Sequence, residues 1–535
     1  MDDPLVVWTA QRVSQHPADF YGYEANWYGF YAPMVQVYLN PPGGAYYAAL
    51  FGTLLGWSEP VMRGSMALMA VALVLGVYWL ARQLKGEPLP AAVLALASPG
   101  FLASAGTMMA DVLMTALWVW AAALWLQGLD RPRPAANAVS GLLIGLAVLM
   151  KYFAISLVPL LLIFTFLSGR KRWARAAWLI IPVVFLALLD FYTHRRYGMS
   201  QFLETSGVLK AFHEQYAIDI GRKILSGLAF LGAGAAPALF IAPWLWGRAG
   251  RIALCLGGVA VAAATVSLAQ SGWQPGVPKF SYPWWFWAQY CLWLAAGLHV
   301  IALALAEVWS RRDRDAALLG LWLAGTLLFG IFVYHFVNVR VILPALPAVA
   351  VLCSRRLRPR IGLTARKSKV ADSGKSPENQ GRKTAHAPAV PGPVWWGLAA
   401  GLALSLCVAY SDMKLANSGR TAAERIAPDK REGRTWFSGH WGFQYYMEAR
   451  GAKPIDMRNP DVRRGDTVVT PMNGSNRIQI GGRGAYIDES FEVPICRWLT
   501  TMRAECGAGF YSDLWGPLPF VFGPAPAERY EVSVL

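Results

Sequence analysis

Apolar segments recur along this sequence from residue 60 to residue 410, and they constrain its fold more than any other feature. Each has roughly 15–23 residues, enough to cross most or all of the ~30 Å hydrocarbon layer of a membrane. Backbone groups in lipid must be satisfied internally, so we expect helices, and the alternating pattern of a β-barrel is not seen. The sequence predicts about twelve transmembrane helices: 60–82, 88–107, 109–128, 137–151, 153–168, 174–193, 226–247, 252–270, 284–306, 316–336, 339–353 and 394–410.

The composition supports a membrane protein. Charged residues make up 15% of the 535 residues, against about 25% in soluble domains. The 24 Trp and 21 Tyr residues fit the aromatic belts found at membrane interfaces. The net charge of +17 does not indicate nucleic-acid binding, because ten Lys/Arg against two acids in residues 354–393 already account for +8 of it. We therefore expect membrane lipids, and no nucleic acid, among the partners.

Basic residues predict the orientation. They fall in every second loop: Arg82 and Lys85, Arg131 and Arg133, Arg170 to Arg172, Arg248 and Arg251, Arg311 to Arg314, and 354–393. The positive-inside rule places these loops in the cytoplasm. The intervening loops then face outward, as does the tail from residue 411, and we predict a plasma (inner) membrane protein. Residue 1 would already lie outside with no preceding span and no signal peptide, so we expect that one N-terminal helix is missing.

These assignments divide the chain into five parts: a first extracytoplasmic loop at 1–59 with an interfacial helix at 44–57, a transmembrane catalytic bundle at 60–353, a basic flexible cytoplasmic linker at 354–393, a last transmembrane helix at 394–410, and a small extracytoplasmic domain at 411–535. The last part is rich in turns and short apolar runs, which predicts an α/β or mostly β domain. Cys496 and Cys506 fall in it, and two cysteines alone leave their pairing open.

Three acids are candidates for chemistry. Asp2 and Asp3 open the first outer loop, and Asp111 is flanked closely by apolar residues. An ionisable group inside an apolar run is costly and therefore indicates function. The alternative for Asp111 is an interfacial side chain that caps the helix at 112–128.

Cations interrupt apolar runs at two predicted outer turns, Lys151 and Arg340. They are either interface anchors or a clamp for a phosphate, which an Arg fork suits. Arg195 and Arg196 lie in the outward loop 194–225, against the positive-inside rule. They either pair with nearby acids or form a phosphate-binding patch for a lipid headgroup or carrier.

The exit from the first loop is Asn40-Pro41-Pro42, followed by Tyr46. Two prolines cannot continue a helix, so they fix this turn. In the tail, His440 and Trp441 belong to an aromatic cluster that is either a sugar-binding platform or a small-domain core. No metal-type His/Cys spacing, Ser-His-Asp set or dinucleotide-binding glycine motif stands out in the sequence.

Several of these features follow one another in a known order. They are an acidic pair opening the first outer loop (Asp2-Asp3), a Pro-Pro-x-x-x-Tyr element (Pro41 to Tyr46), an outer Asp (Asp111), a Gly-Leu-Ala-x-Leu-x-Lys turn (Gly145 to Lys151) and an Arg-x-x-Leu-Pro-x-x-Pro span (Arg340 to Pro347). Over about residues 1–353, the chain resembles the GT-C membrane glycosyltransferases, in particular the branch that is similar to protein O-mannosyltransferases and aminoarabinose transferases.

The resemblance implies transfer of a sugar from a polyprenyl-phosphate carrier to a lipid, glycan or protein acceptor at the extracytoplasmic face, with inversion at the anomeric carbon. It implies that Asp2 is the catalytic base or positions the acceptor, with Asp3 where the family usually has Glu. Asp111 matches a second outer acid, and Lys151 and Arg340 match basic positions near the carrier phosphate. Asn40 stands where many relatives have Lys or His.

Elementary chemistry agrees with that activity. A carboxylate can deprotonate the attacking hydroxyl, and cations stabilise the charge that develops on the phosphate leaving group. The sequence requires no cofactor, although Asp2, Asp3 and Asp111 could supply oxygen ligands to a divalent cation. Two alternatives remain: a transporter or flippase of a lipid-linked sugar, and a non-catalytic scaffold that presents the 411–535 domain.

Overall fold

The structure, a computed structural model, describes residues 3–131, 133–216, 219–276, 280–357, 390–430, 433–475, 477–478 and 486–535. The helices are α1 Asp3–Gln15, α2 Met34–Val37, α3 Gly43–Leu55, α4 Glu59–Gln83, α5 Pro88–Leu96, α6 Pro99–Ala105, α7 Ala110–Asp130, α8 Pro134–Met150, α9 Leu157–Leu167, α10 Ile180–Tyr197, α11 Gln201–Tyr216, α12 Ile220–Gly234, α13 Pro237–Phe240, α14 Ala242–Leu245, α15 Arg248–Gln270, α16 Trp284–Arg311, α17 Arg314–Leu328, α18 Val339–Ile342, α19 346–357, α20 Gly392–Ile426 and α21 Trp441–Glu448. This architecture confirms the predicted helical polytopic class.

Seven helical segments within the described ranges are long and apolar enough to cross a membrane: Glu59–Gln83, Ala110–Asp130, Arg170–Tyr197, Arg248–Gln270, Trp284–Arg311, Arg314–Val333 and Gly392–Ile426. The number rises to eight if α5 and α6, which bend by 62° at their junction, form one span. The helices Pro134–Met150 and Tyr152–Leu167 are apolar but shorter. The predicted total of about twelve spans stays a prediction.

Three apolar segments that we expected to be continuous helices are broken, and that expectation was wrong for them. The segment 88–107 divides into α5 and α6, the segment 226–247 breaks after Gly234, and the segment 339–353 contains a short 3₁₀ turn. A proline lies at or just beyond each break: Pro99 begins α6, Pro237 begins α13, and Pro344 lies in the 3₁₀ turn. Proline lacks a backbone donor and clashes with the preceding turn, which interrupts a helix.

The bundle has an aromatic core. Trp118 of α7 stacks on Phe153 at a centroid distance of 5.4 Å and lies 5.8 Å from Trp322 of α17.

Arg355 and Glu307 form a buried ion pair of 2.7 Å elsewhere in the bundle. The predicted linker begins at residue 354, but residues 354–357 belong to the helix α19. Residues 358–389 of the predicted linker lie outside the described residues.

The first part of the chain contains helices and a β-hairpin. Within the predicted loop 1–59, α1 packs on α3, and the strands β1 Glu24–Asn26 and β2 Tyr31–Pro33 form an antiparallel hairpin. The helix predicted at 44–57 is α3, Gly43–Leu55. Residues of this part, many of them aromatic, form a hydrophobic cluster together with residues of α4 and α7.

The C-terminal part contains the predicted sheet. Its strands are β3 Thr435–Phe437, β4 Lys453–Pro454, β5 Thr467–Pro471, β6 Tyr486–Val493, β7 Leu499–Thr500, β8 Met502–Arg503, β9 Ala508–Gly509, β10 Val521–Phe522 and β11 Glu528–Val534. A mixed five-stranded sheet has the order β4-β3-β5-β11-β6. The helix α20 continues past the predicted end at residue 410 and packs on α21. Cys496 and Cys506 are buried, free thiols.

One segment of this C-terminal part belongs to the core of the bundle rather than to the sheet. Leu499, Phe510 and Phe520 are fully buried in the same hydrophobic cluster as the helices. Trp293 of α16 meets Phe520 at 5.5 Å. The C-terminal part is thus fastened to the bundle by apolar contacts at this segment.

Candidate active site

A cavity of about 110 Å³, which we call the Asp111 cavity, lies where several helices begin or end. Its walls include Asn40, Asp111, Lys151, Thr205, Tyr334 and Arg340. These residues come from the end of the first loop, the start of α7, the end of α8, α11, the residue after the helical segment Phe329–Val333, and the start of α18. The structure therefore brings together four residues that the sequence analysis selected: Asn40, Asp111, Lys151 and Arg340.

Asp111 is a buried acid with a specific partner. It lies in the first turn of α7, where the helix dipole favours a negative charge, and its residue is 1% exposed. Its Oδ1 accepts a hydrogen bond from Nζ of Lys151. Its Oδ2 is buried and has no hydrogen-bond partner among the described residues. The residue before the helix is Met109 and no side chain caps it, so the cap interpretation of Asp111 is wrong.

Lys151 is placed by the end of a helix. The helix α8 stops at Met150, and Lys151 has an extended backbone with φ −158° and ψ 131°. Its side chain is 14% exposed, and its Nζ lies 5.9 Å from the centre of the Tyr334 ring. A short extended link between two apolar helices is thus the element that delivers the ammonium group to the cavity.

Arg340 enters the same cavity from the opposite half of the chain. Asn338 caps the short helix α18 by accepting a hydrogen bond of 2.9 Å from the backbone N–H of Val341. Arg340 is 9% exposed, and its guanidinium lies 5.6 Å from the centre of the Tyr511 ring. Two cations, Lys151 and Arg340, therefore face the cavity together with one carboxylate, Asp111. This charge balance favours an anionic ligand.

The Pro-Pro turn is locked against the end of α8. The carbonyl oxygen of Asn40 accepts hydrogen bonds from the Tyr21 hydroxyl at 2.6 Å and from Nε2 of Gln201 at 3.2 Å. Pro42 directly precedes α3, and a Cβ on Gly43 would lie 2.5 Å from the carbonyl oxygen of Leu149. Only glycine permits this approach, which fixes the turn two residues from Lys151 along α8.

Tyr46 and Pro41 have different surroundings. The Tyr46 hydroxyl donates to the carbonyl oxygen of Pro17, so its side chain is directed to the first part of the chain and not to the Asp111 cavity. Pro41 is buried beside Asn40 in the turn. Neither residue is among those that line the cavity, so within this turn it is Asn40 that reaches it.

A second cavity of about 200 Å³, the Asp3 cavity, lies between the N-terminal helix and the C-terminal part. Asp3, Asp412, Trp441, Tyr511 and Glu528 are among its walls. Asp3 begins α1, and its Oδ1 accepts a hydrogen bond of 3.1 Å from the backbone N–H of Met108. Asp2 lies outside the described residues.

The two cavities are adjacent, because a wall residue of one contacts a wall residue of the other. Tyr511 lines the Asp3 cavity, and Arg340, which stacks on its ring, lines the Asp111 cavity. Asp3 thus lies at one of two adjacent cavities, and Lys151 and Arg340 lie at the other.

Arg195 and Arg196 do not line either cavity. They end α10 as exposed side chains. Arg196 forms an ion pair of 3.1 Å with Asp19, which also pairs with Arg12. Burial alone would raise the pKa of Asp19, but the two arginines outweigh it and hold the pKa below its ordinary value. The partner of Arg196 is thus an acid that the sequence analysis did not consider.

The described part of the chain shows no cluster of metal ligands, and Asp2, one of the acids considered as ligands, lies outside it. No group of three or more His, Cys, Asp or Glu side chains that could hold a metal ion occurs in the described part of the chain. One oxygen of Asp111 already accepts a hydrogen bond from Lys151. We therefore derive no step through a metal.

The aromatic cluster of the C-terminal part joins two regions. His440 stacks on Trp27 of the N-terminal part, with ring centres 4.8 Å apart, and meets Trp441 at the same distance. Both His440 and Trp441 line the Asp3 cavity. The cluster is therefore not only a core of the small domain, since it also forms a wall beside Asp3.

Sequence reasoning missed Tyr511, Asp412 and Gln201. Tyr511 donates a hydrogen bond of 2.7 Å to Asp412, and Gln201 donates to the backbone of the Pro-Pro turn. None of them interrupts a long apolar run in a conspicuous way. Asp412 was the nearest to a signal, because it is an acid two residues beyond the end predicted for the last apolar helix.

Comparison with known proteins is consistent with this geometry. Residues 40–196 match the family described as Dolichyl-phosphate-mannose-protein mannosyltransferase. The matched region contains Asn40, Asp111 and Lys151. Over 88% of each chain, the structure is similar to ArnT from Cupriavidus metallidurans in the apo state, with 14% identity and a TM-score of 0.52. The chain therefore shares its fold with ArnT. The resemblance seen in the sequence is thereby confirmed.

Two further structures resemble this chain. One is ArnT from Cupriavidus metallidurans bound to undecaprenyl phosphate, with 13% identity, a TM-score of 0.50, and coverage of 88% of this chain and 89% of ArnT. The other is the archaeal oligosaccharyltransferase AglB from Archaeoglobus fulgidus, with 15% identity, a TM-score of 0.47, and coverage of 88% of this chain and 65% of AglB. No curated protein matches the chain.

Proposed function

We propose that this chain transfers a sugar from a polyprenyl-phosphate donor to an acceptor at the extracytoplasmic face of the plasma (inner) membrane. The observation that supports this most is the Asp111 cavity, where Lys151 and Arg340 face one buried carboxylate. Cations placed in a poorly solvated cavity favour a phosphate strongly, since their charge is little screened there. The similar ArnT structure bound to undecaprenyl phosphate supports a carrier of that chemical class.

In this proposal the two cations hold the phosphate of the donor. Arg340 offers the planar fork that suits phosphate oxygens, and Lys151 offers a compact charge. As the bond between the sugar and the phosphate breaks, negative charge grows on the leaving phosphate, and both cations stabilise it. Asp111 keeps Lys151 in place through its hydrogen bond and balances part of the positive charge before the donor arrives.

The hydroxyl of the acceptor would reach the sugar of the donor from the adjacent Asp3 cavity. Asp3 lies at its wall, and a carboxylate there can take the proton from an attacking hydroxyl. The acceptor hydroxyl then forms the new bond to the anomeric carbon while the carrier phosphate departs. The acceptor can be a lipid, a glycan or a protein.

The experiment that tests this proposal measures release of the carrier phosphate. Membranes that contain the chain would be given a panel of undecaprenyl-phosphate sugars together with acceptor fractions. The variants are Lys151→Gln, Arg340→Gln and Asp3→Asn. Asp488→Asn is the matched control, because Asp488 is an exposed acid on strand β6.

We expect at least a tenfold loss of release in the three site variants and no change in the control. Asp3→Asn should keep its affinity for undecaprenyl phosphate, because Asp3 would act on the acceptor. Equal release by the site variants and the wild type contradicts the proposal. Movement of the intact carrier across the bilayer, without release of sugar, contradicts it in favour of a transporter.

A further inference from the structure

The C-terminal part contacts the segment that presents Arg340 through residues 510–513. The backbone N–H of Val339 donates a hydrogen bond of 3.1 Å to the carbonyl oxygen of Phe510. The backbone N–H of Asp513 donates one of 2.9 Å to the carbonyl oxygen of Val337. Both bonds lie within three residues of Arg340, on its N-terminal side. The segment that presents Arg340 is therefore fixed from a distant part of the chain.

Tyr511 lies between these two backbone contacts. Its ring lies under the Arg340 guanidinium at 5.6 Å, and its hydroxyl donates to Oδ2 of Asp412 at 2.7 Å. The other oxygen of Asp412 accepts a hydrogen bond of 2.7 Å from Thr501. The phenol is thus held at its far end by α20, so the face that it offers to Arg340 has a fixed position.

The turn that presents Tyr511 has little freedom to move. A Cβ on Gly509 would lie 2.2 Å from the carbonyl oxygen of Ser512 and 2.5 Å from that of Gly516. Phe510 is completely buried in the core shared with the bundle. A tight glycine turn on one side and a buried anchor on the other make this turn a rigid support.

We propose that Tyr511 is a positioning residue for Arg340, and that the C-terminal part is therefore a component of the site that binds the carrier phosphate. This inference rests on the proposed function, since it assigns Arg340 to the phosphate. Without the aromatic face, the long Arg side chain has more rotamers to lose when it binds an anion. Its affinity for the phosphate then falls, although Tyr511 itself does not contact the ligand.

The test is a double-mutant cycle on the purified full-length chain, with undecaprenyl phosphate as the probe and undecaprenol as the control ligand without phosphate. The variants are Tyr511→Leu, Tyr511→Phe, Arg340→Gln and the Tyr511→Leu/Arg340→Gln pair. Tyr486→Leu is the matched control, because Tyr486 is 60% exposed on β6. Far-ultraviolet circular dichroism and thermal unfolding verify the fold of each variant.

We expect Tyr511→Leu to weaken binding of undecaprenyl phosphate by about 3- to 30-fold, the range of a cation–π contact that is partly desolvated. Tyr511→Phe keeps the ring and should restore most of that affinity. In the Arg340→Gln background, Tyr511→Leu should cause no further loss. Tyr486→Leu should bind as the wild type does, and undecaprenol should not distinguish the variants.

Two outcomes overturn the positioning role while the proposed function stands: wild-type affinity in Tyr511→Leu, or an equal loss with and without Arg340. If Arg340→Gln binds undecaprenyl phosphate as tightly as the wild type, the phosphate assignment itself is wrong and the positioning role falls with it. If Tyr511→Leu does not fold, Asp412→Ala replaces it in the cycle, because it frees the phenol and leaves the ring. A smaller loss that again depends on Arg340 is then expected, and a loss that is independent of Arg340 overturns the inference.

Discussion

Lys151 donates a hydrogen bond to the buried carboxylate of Asp111, and the two residues are 40 positions apart at the ends of neighbouring helices. Each ends or begins an apolar helix, α8 for Lys151 and α7 for Asp111. These two helices pack closely along the bundle. The pair therefore links the ends of two packed helices at the wall of the Asp111 cavity.

Removing one partner of this pair should destabilise the protein strongly. Lys151→Met leaves the Asp111 carboxylate buried without its cation, and such a loss costs about 3–5 kcal/mol. The double variant Asp111→Asn/Lys151→Met removes both charges and should recover part of that loss. Apparent Tm values in detergent measure the effect, with Lys210→Met as the control, because the Lys210 side chain is 80% exposed.

The double variant should nevertheless stay inactive, since it lacks a cation that the proposed mechanism requires. Tm changes that simply add up would contradict a direct interaction between Asp111 and Lys151. Recovery of both stability and activity in the double variant would contradict a role for Lys151 at the phosphate.

The close approach at Gly43 should be intolerant of a methyl group. Gly43→Ala places a Cβ against the Leu149 carbonyl, so either the Pro-Pro turn or the end of α8 must move. Either movement displaces a wall of the Asp111 cavity. We expect at least a tenfold loss of activity and about 1–3 kcal/mol of stability.

Gly64→Ala serves as the matched control for that change. Gly64 also lies in a helix, α4, but a Cβ there would meet no atom within 4 Å. Alanine should therefore be neutral or slightly stabilising at residue 64, since it favours helices more than glycine does. Equal effects of the two substitutions would contradict the packing argument.

The ion pair between Arg196 and Asp19 predicts a structural role for Arg196. The Arg196 side chain is 53% exposed, and exposed pairs contribute about 0–1 kcal/mol. Arg196→Gln should therefore lower the apparent Tm only slightly and leave the affinity for undecaprenyl phosphate unchanged. A loss of affinity as large as that of Lys151→Gln would instead favour the hypothesis of a phosphate patch at 195–196.

Much of the fold and half of the site could be predicted from the sequence. Long apolar runs indicate membrane helices, and a charged residue that interrupts such a run is easily recognised. Asp111, Lys151 and Arg340 were selected in this way, and the structure places all three around one cavity. The breaks near Pro99 and Pro237 were not predicted, because the apolar residues on both sides of each proline read as one continuous run.

The rest depends on contacts between distant parts of the chain. Asp19 and Arg196 are 177 residues apart, and no local pattern indicates that they pair. Tyr511 and Arg340 belong to different structural parts, and the approach of these parts follows from the packing of Phe510 in the core. A sequence can show that a residue is costly to bury, whereas its partner is decided by the tertiary arrangement.

Asp513, next to the turn that presents Tyr511, should make stability dependent on pH. Burial raises the pKa of its carboxyl to about 7, although Lys223 and backbone N–H groups act in the opposite direction. In the unfolded chain this carboxyl titrates near pH 4. Between pH 4 and 7 the unfolded chain has released the proton while the folded chain retains it, so stability falls as the pH rises and then levels off above pH 7.

Asp513→Asn removes this titration and keeps a side chain of the same shape. Other groups titrate in both proteins, so the difference between their stabilities isolates Asp513. We expect the variant to gain about 2–3 kcal/mol relative to the wild type between pH 5 and pH 8, with most of the gain below pH 7. Apparent Tm values of both proteins at pH 5, 6, 7 and 8 measure it. Parallel profiles would mean that Asp513 is already ionised in the folded protein, held by Lys223 as a buried ion pair.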